Sequence, residues 1–370
     1  MLYVWIIIIS LCALYSVLVL FFTYGIYKLS TKTVIPKTTK LNLSIVVAIR
    51  NEEDCIENML NSIREQDYPA SHFELILVND HSADNGMLIA QEWAEKISSI
   101  RILHLPEGTK GKKQAIALGV SKAQNSTIVL TDADCVHPKL WLQEISNAYS
   151  QGVTAMVIGP TMLFPTKSVF QKMQLLEHAS LSASTLGACA VGIPFMASSA
   201  NLSFSRDVLG FKLDMLNPTQ PSGDDVFLLH HAKKIRKGKI RCIHSPNGLV
   251  LAKCVRSLKD FLLQRARWAS KATVYRDFAS IAIGVIVLLF NLTLIYLMVF
   301  SFFDIFYLKM LLLAFIVKIL ADFLLLFPYL RRYNKISLIN VFLPLQLVYP
   351  IYIVIAFGLS ILNKPKWKGR

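Results

Sequence analysis

Three strongly apolar stretches of this chain, residues 1–27, 278–303 and 336–362, carry no Asp, Glu, Lys or Arg. Each exceeds the ~20 residues that a helix needs to cross ~30 Å of hydrocarbon. A fourth apolar stretch, about 308–330, carries Lys318 and Asp322 near its middle and Lys309 at its start. Runs of this kind fit a multi-pass membrane protein and little else. The expected organisation is a membrane helix over 1–27, a linker over 28–42, a water-soluble α/β domain over 43–277 and a membrane region over 278–370. That last region holds two to three spans or re-entrant segments. A length of 370 residues agrees, since single cores stop growing near ~250–300 residues. An apolar content of 54% against 17% charged residues excludes a disordered chain.

The net charge of +15 comes from 39 basic and 24 acidic residues. The basic residues gather beside the apolar runs: Lys28, Lys32, Lys37 and Lys40 after the first, Arg265, Arg267, Lys271 and Arg276 before the second. Arg331, Arg332 and Lys335 precede the last run, and Lys364, Lys366, Lys368 and Arg370 follow it. Cytoplasmic flanks that touch anionic lipid have this pattern. Basic and aromatic residues do not interleave along one element, so no nucleic acid partner is expected.

Residues 1–27 lack a basic leading segment and exceed the length of a signal-peptide core, which makes them an anchor. The lysines after them place the amino terminus outside and the domain in the cytoplasm, at an inner membrane. The last run conflicts with that rule. If all four stretches cross, Lys364–Arg370 end outside. Pro344 and Pro350 allow a re-entrant hairpin over 336–362; a single span kinked at Pro350 is the alternative. Lys318 and Asp322, four residues apart, would each cost ~2.5–3.5 kcal/mol alone in lipid, so a pair or a polar lining is expected. The six cysteines form neither CxxC pairs nor zinc spacings, as expected of free thiols in a reducing compartment.

Within 43–277, short apolar runs alternate with amphipathic stretches. Strands are expected at 43–49, 73–79, 99–105, 126–131 and 154–159, and helices near 53–66, 84–97, 111–123, 138–150 and 225–235. Continuous apolar runs are those of buried parallel strands, and the alternation implies βαβ units in a doubly wound sheet. Ligands of such sheets bind at the carboxyl ends of the strands. Asn51, Glu52 and Glu53 follow the first strand, Asp80 the second, and Asp132 and Asp134 the fourth. Acids gathered on one edge suggest a nucleotide or metal site.

Asp132 and Asp134 stand two apart at a strand end, so both carboxylates can face one hard cation, Mg²⁺ or Mn²⁺. A polar loop whose Asp134 caps the next helix is the plainer reading. Asp80 can accept the imide N–H of a uracil ring, or cap a helix, which Asp84 does better. Lys112, after Gly111 at a helix start, suits a phosphate. Asp224 and Asp225 either open a helix that favours acids in its first turn or supply a general base. Gln264, Arg267 and Trp268 share one helical face. They read either as an interfacial anchor or as a sugar platform beside a phosphate-binding arginine.

These pieces, in order, resemble the membrane-bound family 2 glycosyltransferases of GT-A fold, which include cellulose, chitin, hyaluronan and poly-N-acetylglucosamine synthases. The matching residues are Ser44–Glu53, Val78–Asn79–Asp80, Gly111–Lys112, Asp132–Ala133–Asp134, Ser199–Ala200–Asn201, Gly223–Asp224–Asp225 and Gln264–Trp268, the QxxRW motif. The resemblance covers about 41–277 and the flanking spans. It implies a doubly wound, Rossmann-like mixed sheet flanked by transmembrane helices, and an inverting enzyme. Such an enzyme moves a hexose or N-acetylhexosamine from a UDP-sugar to a lipid or growing glycan, in envelope or exopolysaccharide synthesis.

By the same resemblance, Asn51, Glu52, Asp80, Lys112 and Asp132 bind the nucleotide, and Asp132 and Asp134 bind Mg or Mn. Asp225 is the catalytic base. Asp224, Gln264, Arg267 and Trp268 serve the acceptor and diphosphate. The chain departs from the family in having Gly–Asp–Asp where Glu–Asp, often after Thr, is usual. It also has few spans for a polymer conduit, which points to a membrane partner, an oligomer or a single-sugar transfer to lipid. Two other readings are an inactive nucleotide-sugar-binding scaffold, disfavoured by the intact acids and QxxRW, and a polyprenyl-phosphate sugar transferase, whose acceptor needs no base.

Overall fold

The computed structural model describes residues 2–31, 40–220, 222–235 and 238–362. Most of the expected 28–42 linker, with Lys32 and Lys37, lies outside the described residues, as do Pro221 and Lys364, Lys366, Lys368 and Arg370. The chain runs α1 (Leu2–Ser30), β1 (Leu43–Ile49), α2 (Ile56–Arg64), β2 (Phe73–Asn79), α3 (Gly86–Lys96), β3 (Ile100–His104), α4 (Lys112–Lys122), β4 (Thr127–Leu130), α5 (Trp141–Tyr149), β5 (Thr154–Ile158) and β6 (Thr161–Leu163). It continues α6 (Val169–Ala190), β7 (Leu202–Ser205), α7 (Arg206–Leu209), α8 (Asp224–Ile235), β8 (Lys239–Cys242), β9 (Val250–Ala252), α9 (Leu258–Ala269), α10 (Phe278–Phe300), α11 (Ile305–Arg332) and α12 (Phe342–Leu362).

Packing divides the described residues into a sheet unit and a helical unit. The sheet unit is built on seven strands in the order β3-β2-β1-β4-β7-β5-β8. β1 runs parallel to both β2 and β4, with Leu43 opposite Phe73 and Thr127. The chain winds outward from β1 through β2 and β3, then returns to place β4 on the other side. The switch point therefore lies between β1 and β4, where such sheets take ligands. β7 is antiparallel to β4 and β5, which makes the sheet mixed. Its first residue, Leu202, stands opposite Leu130, the last of β4. Ser199–Asn201, just before β7, thus arrive at the edge where β4 ends.

One sheet face buries Ile45, Val47, Ile49, Leu75 and Leu77 against Ile56, Met59, Trp141 and Leu142. On α4, a Cβ at Gly119 would stand 2.4 Å from Val46 Cγ1, so only glycine lets that helix approach β1 so closely. Asn201 is a buried hub: its amide donates to the carbonyls of Pro160 and Gly248, at 2.8 Å each, and accepts from Trp141 Nε1 at 2.9 Å.

The helical unit gathers α1, α6 and the chain from Cys254 onward. In chain order α6 and α9 fall inside the expected 43–277 domain; by packing they group with the apolar helices. α1 meets α6 backbone to backbone at Gly25 and Gly187, where an added Cβ would lie 2.0 Å from the Gly187 carbonyl. Small residues permit this approach. Four helices among the described residues are long and apolar enough to cross a membrane: 3–30, 278–300, 305–332 and 336–362. Of the two readings of 336–362, a re-entrant hairpin and a single span kinked at Pro350, the second agrees with the helix seen. α12 continues through Pro350 as one helix; a proline there removes one hydrogen bond and bends the axis without reversing it.

Candidate active site

The carboxyl ends of β1, β2 and β4 carry the expected acids, and two tight turns expose them. Asn51 and His81 have φ of 51° and 53°, a left-handed conformation that Asn and His tolerate better than most residues. Each turns the chain sharply off its strand. The two loops are stitched together: Asn51 Oδ1 accepts from Ala83 N–H at 2.8 Å, and Glu53 accepts from Asn85 N–H at 2.8 Å. Glu53 N–H in turn donates to Asp84 Oδ2 at 2.8 Å. Asn51 thus has an architectural contact at the edge, and Glu52 follows it, partly exposed.

Asp80 is fully buried. Its Oδ2 accepts from Gly111 N–H at 3.0 Å and lies 4.0 Å from Arg50 Nη1, which donates to the Asp80 carbonyl at 3.1 Å. Burial raises the Asp80 pKa, and the Gly111 N–H and Arg50 pull against that shift. Gly111 has a φ of 105°, a conformation suited to glycine, and delivers Lys112 to the edge.

Lys112 links the sequence-distant acids. Its ammonium donates to Asp132 Oδ1 and to Ser199 Oγ, both at 2.7 Å, and lies 3.6 Å from Asp224 Oδ2. Burial alone would lower its pKa, but Asp132 and Asp224 outweigh burial and the net shift is upward; the side chain stays charged. The next residue has a different task. Lys113, 5% exposed, donates to the carbonyls of Asn217 and Ser222 at 2.8 and 2.9 Å. It thereby holds the segment that leads into α8. Gly223, with φ of 91°, lets the chain enter the helix there. Asp224 turns inward toward Lys112, while Asp225 is partly exposed and accepts from Val226 N–H at 2.8 Å. The two acids open α8, and Asp224 also stands beside Lys112 at the sheet edge.

Ligand atoms of Asp132, Asp134 and Cys135 lie within 4.8 Å of one another. Burial, with Asp134 and Asp132 nearby, pushes the Cys135 thiol well above its usual range, so it is a neutral group there. The strand end behind these acids is braced by a residue the sequence did not single out. His137, 5% exposed, bonds through Nε2 to Thr131 Oγ1 at 2.7 Å and through Nδ1 to Ser62 Oγ at 2.9 Å. Its ring packs on Trp141, centroids 4.1 Å apart. Burial lowers its pKa to about 3. Ser199, Lys113 and His137 were hidden because each acts across 70 residues or more of chain or through a common residue type; Ser199 lay within a quoted motif, but with no role assigned.

The QxxRW residues belong to the helical unit, on α9. Gln264, Arg267 and Trp268 are partly exposed, and Arg265 between them is buried. Arg265 Nη1 donates to Gln264 Oε1, and its guanidinium lies 4.2 Å from the Trp268 ring centroid.

Residues 44–209 match the family described as Glycosyl transferase family 2. Glycosyltransferase AglE of Haloferax volcanii is 26% identical over 146 residues, 37% of this chain and 48% of that one. Poly-beta-1,6-N-acetyl-D-glucosamine synthase of Staphylococcus epidermidis is 27% identical over 143 residues, 38% of this chain and 33% of that one. The matches thus span half or less of these relatives. Mannosyltransferase PcManGT from Pyrobaculum calidifontis, solved with GDP-Man and Mn2+, superposes with a TM-score of 0.56 over 98% of this chain and 99% of its own, at 19% identity. At that identity the likeness speaks for fold alone, and it agrees with the mixed sheet. The chain therefore carries a family 2 glycosyl transferase domain of GT-A fold.

Proposed function

We propose that the protein is a membrane-bound, inverting glycosyltransferase that moves a hexose or N-acetylhexosamine from a UDP-sugar to a hydroxyl of a lipid or growing glycan. Its sheet unit works on the cytoplasmic side of an inner membrane, in envelope or exopolysaccharide synthesis. The observation that carries this reading is the cluster of Lys112 with Asp132, Asp224 and Ser199 at the sheet edge that also holds Asp80.

Asp80 is assigned to the imide N–H of the base, with Asn51 and Glu52 beside it on the β1 turn. Lys112 is assigned to the diphosphate; on donor binding its ammonium exchanges a carboxylate partner for phosphate oxygen. The carboxylates of Asp132 and Asp134 are hard oxygen donors that fit Mg²⁺ or Mn²⁺, and the neutral Cys135 thiol adds no anionic ligand. Such an ion, when bound, neutralises charge that develops on the leaving diphosphate.

Asp225, the partly exposed acid of its pair, accepts the proton of the acceptor hydroxyl as that oxygen bonds to the anomeric carbon. The bond from that carbon to the diphosphate breaks on the opposite face, which inverts the centre and releases UDP. Asp224 stays paired with Lys112. Gln264, Arg267 and Trp268 are assigned to the acceptor and diphosphate by their motif.

The test is incubation of membranes holding the protein with radiolabelled UDP-glucose, UDP-N-acetylglucosamine or GDP-mannose, with Mg²⁺ or Mn²⁺. Lipid and polymer products are then separated. EDTA-sensitive incorporation from a UDP-sugar is expected. Incorporation from GDP-mannose alone would overturn the donor assignment, and no incorporation from any donor would overturn the function.

A further inference from the structure

Two buried polar clusters in the helical unit, neither assigned above to the reaction, are joined along one helix. In the first, Glu177 on α6 and Arg265 on α9 are 2% and 6% exposed. Arg265 Nε donates to Glu177 Oε1 at 3.0 Å and Nη2 to Oε2. Tyr352 on α12 donates its hydroxyl to the same Oε1 at 3.0 Å. The guanidinium also lies over two aromatic rings, 4.4 Å from the Phe261 centroid and 4.2 Å from that of Trp268. In the second, Lys318 donates to Asp322 Oδ2 at 2.7 Å and to Gln346 Oε1, and Tyr15 donates to Asp322 Oδ1 at 2.6 Å.

Gln346, Tyr349 and Tyr352 stand at three-residue intervals, on one face of α12. The Tyr349 ring lies 4.7 Å from the Lys318 ammonium and 5.1 Å from the Tyr352 ring. A polar line thus runs from the Lys318–Asp322 pair to Arg265, in the middle of QxxRW.

A buried ion pair is weak evidence for stability, because desolvation cancels most of its attraction. What this one does achieve is orientation. A guanidinium bound at both carboxylate oxygens has its plane fixed, and that plane carries Trp268 on one side while its Nη1 holds Gln264. We propose that Glu177 and Tyr352 are positioning residues for the acceptor motif: they hold Arg265 so that Gln264 and Trp268 are presented in one arrangement, which α12 ties to the Lys318–Asp322 pair. The proposal rests on the reading of QxxRW as the acceptor side.

The experiment uses the full chain in lipid nanodiscs, as wild type, Glu177→Gln and Tyr352→Phe. Trp268 emission is taken as the difference between each protein and its counterpart carrying Trp268→Phe. Transfer from radiolabelled UDP-sugar to endogenous membrane acceptors and UDP affinity are measured alongside. In Glu177→Gln, Trp268 emission should move to longer wavelength and become open to acrylamide quenching. Transfer should fall by up to about 10²-fold, the scale of a misplaced binding group, with UDP affinity unchanged. Tyr352→Phe removes one hydrogen bond and should fall about three- to tenfold; it keeps the test in place if Glu177→Gln does not fold. Unmoved Trp268 emission in both variants overturns the proposal, and so does wild-type transfer by a variant whose emission has moved. If the wild type transfers nothing, the functional reading fails on its own, and the Trp268 emission still decides whether Glu177 and Tyr352 position the motif.

Discussion

The ion pair at the sheet edge and those of the helical unit differ in how far water reaches them. At the sheet edge, Lys112 and Asp132 are 19% and 32% exposed although they form an ion pair 2.7 Å long. In the helical unit the Arg265 and Glu177 side chains are 6% and 3% exposed, and Lys318 is 1%. Around Lys318, the partners already in place are an aspartate, a glutamine and an aromatic ring. The sheet-edge cluster can trade partners with an incoming diphosphate at little desolvation cost, because water reaches it. The bundle clusters cannot, because leaving either partner bare inside is expensive. Accessible pairing marks a place for ligands, and closed pairing marks a fixed joint.

The sharpest way to break this comparison is at the edge. Asp134→Ala removes one of two carboxylates assigned to the divalent ion, and turnover should be lost while the sheet unit keeps its far-ultraviolet circular dichroism. Wild-type activity that persists in excess EDTA would remove the metal from the scheme altogether. Asp225→Asn keeps size and polarity but takes no proton. Loss of a general base costs ~10²–10⁴-fold in kcat, and UDP affinity should be unchanged. A variant that retains most of its kcat would redirect the assignment to Asp224, or to a phosphate acceptor that needs no base.

In the bundle the effect should appear in stability instead. Lys318→Met leaves Asp322 without its cation; breaking a buried pair costs about 3–5 kcal/mol. The double variant Lys318→Met with Asp322→Leu should recover most of that loss in thermal unfolding of the full chain in detergent. If the single variant unfolds at the wild-type temperature, the network is not the closed joint described here.

The sheet was readable because burial on both faces imposes continuous apolar runs: the strands expected at 43–49 and 73–79 are found with those bounds. Asp80, Lys112, Asp132 and Asp224 were readable because strand ends and helix starts are where a doubly wound sheet puts polar residues to use. Ser199 escaped because it reaches the edge through β7, whose antiparallel direction no local pattern announces. Lys113 escaped because a second lysine after Lys112 looks like solvated charge; only the fold shows that it holds the segment before α8. Over 336–362 two prolines and a charge rule favour a hairpin while a long apolar run favours a span, so the sequence leaves both open; the structure has one helix through Pro350. Glu177 was hidden inside α6, where one acid in a stretch of small and apolar residues gives no sign that its partner lies 88 residues away.

The smallest predicted effect separates a brace from a ligand group. His137 touches Thr131, next to Asp132, yet its buried ring faces hydroxyls and Trp141. Its folded pKa of about 3 lies below the 6.5 of a free histidine. Between those values the unfolded chain binds the proton and the folded one does not. The stability from keeping His137 neutral is therefore fully present above pH 6.5 and is lost as pH falls toward 3. One proton corresponds to about 1.4 kcal/mol for each pH unit crossed. His137→Gln retains hydrogen-bonding capacity and removes the titration. Between pH 6 and pH 4 its unfolding free energy should fall less steeply than that of the wild type, by about one proton, while at pH 7.5 its UDP affinity should match the wild type. Equal slopes would mean that His137 is not held neutral. A large loss of UDP affinity at pH 7.5 would move His137 from the group of closed, bracing contacts to the open edge where the ligand is expected to bind.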